Sequence, residues 1–112
     1  GHLAGDAVLK GVAERLRGAT REDDLVARLG GDEMVVLQKH VTSAAAAKTL
    51  ASRIIASIGK PMDVAGRQLE LGASIGVAMA DPATETAEEL LSRADRAMYR
   101  AKETRRGSYC VA

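Results

Sequence analysis

Between Gly5 and Arg17 the apolar residues Val8, Leu9, Val12, Ala13 and Leu16 recur at helical spacing, which predicts a first helix. Thr20 to Asp24 is polar and turn-like. Leu25 to Ala27 is a short β-prone run, Leu29-Gly30-Gly31-Asp32 interrupts it, and Met34 to Leu37 resumes it. Two such runs around a glycine pair predict a β-hairpin. Thr42 to Ile58 is alanine-rich and periodic, with Ser43 as its N-cap and Gly59 as its stop, and Pro61 forces a break. Met62 to Val64 and Leu69 to Ala80 are expected as two strands around the Ala65-Gly66-Arg67 turn, the second ending at Asp81-Pro82. Thr86 to Lys102 is expected as a third helix, capped by Thr86, with Glu88 and Glu89 in its first turns, where the helix dipole favours acids. Ser108 to Val111 closes the chain as a short strand. The resulting order is α-β-β-α-β-β-α-β, without an internal repeat or a low-complexity linker.

Composition narrows what this pattern can do. One hundred and twelve residues make one domain, and 46% hydrophobic residues are enough for a core. Only 2% are aromatic, with no Trp and no Phe, so the core is aliphatic and its stability modest. Sixteen basic residues against fifteen acidic give a net charge of +1, which argues against a DNA or RNA binder with a basic face. Nor is there an aromatic platform on which a single strand could stack. Cys110 is the single cysteine, so no internal disulfide forms and a reduced, cytoplasmic setting is expected. No apolar run approaches a membrane span, which leaves open anchoring through other parts of a longer parent.

The chemistry concentrates in Arg28-Leu29-Gly30-Gly31-Asp32-Glu33-Met34. Two glycines admit backbone conformations closed to other residues and let a phosphate come near the chain. Two acids follow directly. Hard oxygen ligands at such a turn suit Mg²⁺, which is commonly held by one or two carboxylates plus substrate phosphates. Gly and Asp are also ordinary residues of a solvated hairpin tip, and this stretch alone leaves both possibilities open.

RLGGDEM resembles the GGDEF signature, with Met34 in place of the final Phe. Other segments match the same family in order and spacing. Gly1-His2-Leu3-Ala4-Gly5-Asp6 is similar to its GHxxGD element and Arg21-Glu22-Asp23-Asp24 to its RxxD element. Ala73-Ser74-Ile75-Gly76-Val77-Ala78 is similar to its S-x-G-x-A strand, and the run from Arg93 to Lys102 to its ADxALYxAK helix. The chain is identified on these residues as a member of the GGDEF, or diguanylate cyclase, family. The resemblance implies an α+β sandwich (α/β) like the nucleotidyl cyclase palm, with a mixed, mainly antiparallel sheet flanked by helices. It also implies that the domain is N-terminally incomplete, since the family's first helix and strand, with a metal-binding aspartate, precede the GHxxGD element.

The same resemblance implies roles. Two GTP molecules on facing copies of the domain condense into cyclic di-GMP with release of pyrophosphate. Asp32 and Glu33 are the expected catalytic acids and ligands of two Mg²⁺ ions. His2, Asp6, Gly30, Gly31, Lys102 and Arg106 are expected to bind substrate, Asp6 by accepting hydrogen bonds from the guanine edge. Arg105 and Gly107 depart from the family's pattern around Arg106. Arg21, Asp24 and Arg53 correspond to a product-inhibition site for cyclic di-GMP. An upstream sensory or receiver domain is expected in the parent, and this chain alone is expected to be inactive. The alternative function is a non-catalytic module that binds cyclic di-GMP or GTP and signals to a partner.

Overall fold

The computed structural model describes residues 2–105 and 107–112, with side chains from Gly5 onward. Three helices and six strands follow in the order α1 (His2–Ala19), β1 (Leu25–Gly30), β2 (Glu33–Leu37), α2 (Ala44–Ile58), β3 (Met62–Val64), β4 (Arg67–Leu69), β5 (Ile75–Val77), α3 (Ala87–Thr104) and β6 (Tyr109–Val111). The strands form three two-stranded ladders. β1–β2 and β3–β4 are antiparallel, whereas β5–β6 is parallel, with α3 as its crossover. The pairing is therefore mixed and mainly antiparallel, as the α+β class requires. No helix among the described residues is long and apolar enough to cross a membrane.

The core forms where one face of each element meets. Leu16 and Ala19 of α1 pack with Leu50, Ile54 and Ile58 of α2, and half-buried Val12, Val26, Met34, Val36, Leu71, Ala73 and Ile75 close around them. All are aliphatic or Met, so burial of apolar area without aromatic rings holds the fold. α3 lies against β5 through its small residues. Ala97 and Ala101 are fully buried, and a Cβ on Gly76 would collide with the backbone oxygen of Ala94 and stand 2.5 Å from Met98 N. Gly76 is thus needed for close helix–strand approach.

The long strand expected over Leu69 to Ala80 is not continuous. Leu69 pairs with Met62 in the β3–β4 ladder, Ile75 pairs with Tyr109 in β5–β6, and residues 70–74 pass from one ladder to the other. An apolar run that serves two sheets looks like one strand in sequence. The turn between β3 and β4 shrinks to Ala65-Gly66, both at positive φ (51° and 78°), the signature of a two-residue hairpin.

Helix ends show a similar mixture. Thr86 makes a full capping box: its hydroxyl accepts the Glu89 N–H at 3.1 Å, and the Glu89 carboxylate accepts the Thr86 N–H at 3.0 Å. Ser43 occupies the N-cap of α2 but makes no side-chain cap hydrogen bond, so α2 starts at Ala44 and not at Thr42. Gly59 keeps a helical φ of −72°, so it is not a left-handed stop. α2 nevertheless stops at Ile58 with Gly59 as its C-cap, the Gly59 N–H donating to the Ile55 carbonyl at 3.0 Å, and Arg15 of α1 covers that end. Its guanidinium donates to the carbonyls of Ser57, Ile58, Lys60 and Pro61 at 3.0, 3.1, 2.6 and 2.9 Å. These include the orphan carbonyls and the negative dipole end of the helix. A second arginine, Arg93 of α3, pins the segment after β5 by donating to Met79 O (2.6 Å) and to the Glu85 carboxylate (2.9 Å).

Candidate functional site

The β1–β2 hairpin positions the glycine-acid turn. Gly30 pairs with Glu33, so Gly31 and Asp32 form the tip, and the register shifts between Arg28 and Gly30. Gly30 and Gly31 stand at φ 149° and 54°, and an added Cβ at either would meet nothing within 4 Å. These glycines are required by backbone conformation and leave their outer side open. Val26 points into the core, so Arg28, two residues on, shares the inner face that looks toward α1.

That face closes a groove of about 640 Å³ between the hairpin tip and the first half of α1. It is lined by Gly5, Asp6, Val8, Leu9, Arg28, Gly31 and Asp32. Val8 and Leu9 give an apolar floor, and carboxylates from two elements, Asp6 and Asp32, share the same opening. Arg28 Nε donates to the Gly31 carbonyl at 2.9 Å and so ties the strand to its own turn. Glu33 is half-buried at the start of β2 and does not line the groove. Among the described residues no three His, Cys, Asp or Glu side chains cluster closely enough to hold a metal ion by themselves. Asp32 at the open hairpin tip, with Glu33 next in sequence, does fit Mg²⁺ completed by phosphate and water oxygens.

The remaining expected substrate contacts are not brought together. Lys102 is in the last turn of α3, its ammonium 5.5 Å from the Tyr99 ring centroid, and it does not line the groove. Arg106 and the side chain of His2 lie outside the described residues. Arg28 was not anticipated as a lining residue. Its place two positions before Gly30, on the inward side of a strand, was the available signal.

A second constellation forms at the far end of α1. Asp24 accepts the Arg21 N–H at 2.9 Å through one carboxylate oxygen and the Lys39 N–H at 3.0 Å through the other. These bonds, that from Lys39 foremost, hold its carboxyl below the usual aspartate range. Arg53 of α2 donates to the carbonyl of Ala19, the last residue of α1 and two before Arg21. The tether sets Arg53 beside the turn that carries Arg21 and Asp24. Asp24 therefore has a structural duty that its motif did not announce: it fastens the turn before β1 to the segment after β2.

Comparison with known proteins decides the family. A family model described as "Diguanylate cyclase, GGDEF domain" matches residues 1–108. The chain belongs to the GGDEF domain family. This GGDEF domain is 47% identical over 109 residues to diguanylate cyclase TpbB of Pseudomonas aeruginosa, covering 96% of the chain and 25% of that protein. It is 43% identical over 110 residues to the bifunctional diguanylate cyclase/cyclic di-GMP phosphodiesterase MucR of the same species, covering 98% of the chain and 16% of that protein. The chain thus spans a quarter or less of these curated relatives. Among solved structures, the GGDEF domain of YfiN (TpbB) from P. aeruginosa superposes with a TM-score of 0.94 at 46% identity, covering 100% of this chain and 70% of that one.

Proposed function

We propose that this GGDEF domain is the catalytic domain of a diguanylate cyclase and that the groove between α1 and the hairpin tip holds GTP. The supporting observation is that Asp6 of α1 and Asp32 of the β1–β2 tip line one groove beside an open glycine turn. Asp6 can accept the two N–H donors of the guanine edge. The glycine turn lets the phosphates lie against backbone. Asp32, with Glu33 behind it, supplies carboxylate charge where the phosphates arrive and can take the proton of the attacking 3′ hydroxyl. That oxygen bonds to the α-phosphorus of a GTP on a second copy of the domain, and pyrophosphate leaves. When bound there, Mg²⁺ would neutralise phosphate charge and favour departure of pyrophosphate; Asp32 would be its first ligand and Glu33 the second candidate. Lys102 and Arg106 are assigned to the phosphates, and His2 to the guanine end.

Arg21, Asp24 and Arg53 are assigned to cyclic di-GMP as an inhibitory site. Their separation from the groove also supports the second function, a module that binds cyclic di-GMP without catalysis. Calorimetric titration with Mg–GTP tests the first. Asp6→Ala is expected to weaken binding about 10- to 100-fold, the scale of hydrogen bonds to a charged group. Equal affinity in the variant would refute the guanine assignment.

A further inference from the structure

Arg28 is the cation of the groove that no part of the proposed chemistry uses. It stands on the inner face of β1, exposed, with Asp6, Gly31 and Asp32 around the same opening. Its Nε is committed to the Gly31 carbonyl at 2.9 Å. That single bond orients the planar guanidinium relative to the turn. Among the described residues its two terminal nitrogens have no hydrogen-bond acceptor, and it pairs with no carboxylate, although two acids line the same groove. A guanidinium fixed by Nε and open at both Nη atoms is a preformed fork for phosphate oxygens, the geometry in which arginine surpasses lysine.

The chain's other arginines with side-chain contacts contrast with it. Arg15 and Arg53 spend their terminal nitrogens on backbone carbonyls, and Arg93 spends its own on Glu85 and Met79. Those are fold contacts. Arg28 uses only its Nε.

On the nucleotide reading of the groove, we propose that Arg28 is a phosphate-recognising residue. Its Nε–H holds the Gly30-Gly31 turn in shape, and its terminal N–H groups take the phosphate chain of the nucleotide whose guanine meets Asp6. It would supply a positive charge at the opening that Asp6 and Asp32 share, whose carboxylates would otherwise repel a triphosphate.

The test compares affinities for Mg–GTP and for guanosine, which lacks phosphates, in the wild-type chain, Arg28→Gln and Arg28→Lys. Thermal melting of each variant checks the fold. Arg28→Gln is expected to lose about tenfold or more in GTP affinity while guanosine affinity holds, the scale of one charge-assisted contact. Arg28→Lys is expected to recover part of the loss, because charge returns without the fork. Equal losses for GTP and guanosine would mean that Arg28 only shapes the turn, and no loss for either would mean that it faces solvent; both overturn the proposal. A wild-type chain that binds guanosine but gains nothing from the phosphates also overturns it. A wild-type chain that binds neither would overturn the nucleotide assignment of the groove itself, and this inference with it.

Discussion

On the proposed reading Asp24 has two duties, one in the fold and one toward cyclic di-GMP, that mutation must separate. Its carboxylate already accepts two backbone N–H groups, and each oxygen retains a lone pair for a ligand. Asp24→Ala is therefore expected to cost roughly 1 kcal/mol of stability, a fall of about 4–8 °C in melting temperature, as well as cyclic di-GMP affinity. Among the described residues the Arg21 side chain makes no hydrogen bond, so Arg21→Ala should lose affinity at unchanged melting temperature. Calorimetry and thermal melting on both variants check the contrast. The pH dependence has a definite sign. Because the folded Asp24 carboxyl titrates below its ordinary value of about 3.9, its contribution is present in full above that value. It is lost as pH falls through the lowered folded value. Glu85, held low first by its hydrogen bond from Arg93, acts in the same sense. Acid titration of the melting temperature should thus show a decline below about pH 4 that is shallower in Asp24→Ala.

At the scale of elements, the sequence exposed those whose signals are local and hid those set by partners. The helical stripe of α1, the Gly30-Gly31 hairpin and the Thr86–Glu89 capping box depend on residues a few positions apart, and each stands where the pattern puts it. The break between β4 and β5 depends on which ladder each half joins, and the hydrogen bonds that cover the end of α2 come from Arg15, more than 40 positions away. Neither partner is legible in the local sequence, although Gly59 and Pro61 do mark where α2 stops. Arg15→Met, which keeps most of the stem and removes the donors, should lower the melting temperature by roughly 4–8 °C per kcal/mol lost, with about 1–3 kcal/mol expected when α2 loses its cap. A melting temperature unchanged from wild type would show that water serves those carbonyls as well. Gly76→Ala should be harsher, about 3 kcal/mol, because the obstacle is helix backbone and not a side chain that could turn away.

Across the molecule, the two proposed sites lie at the two ends of α1. The groove takes the N-terminal half with the hairpin tip, and the Arg21–Asp24–Arg53 cluster takes the C-terminal end with α2. The family resemblance assigned Asp6, Gly31 and Asp32 to one substrate, and all three line the groove. Lys102 was expected at the phosphates by the same resemblance; it stands in the last turn of α3 beside Tyr99, outside the residues that line the groove. The most direct test is a titration of backbone amide resonances with Mg–GTP and, separately, with cyclic di-GMP. Mg–GTP is expected to shift the amides of Gly5, Asp6, Arg28, Gly31 and Asp32 together, and cyclic di-GMP those of Arg21, Asp24 and Lys39. If Mg–GTP leaves the groove amides in place, or moves only the Arg21 set, the groove is not the nucleotide site and the assignment of catalysis to it is wrong.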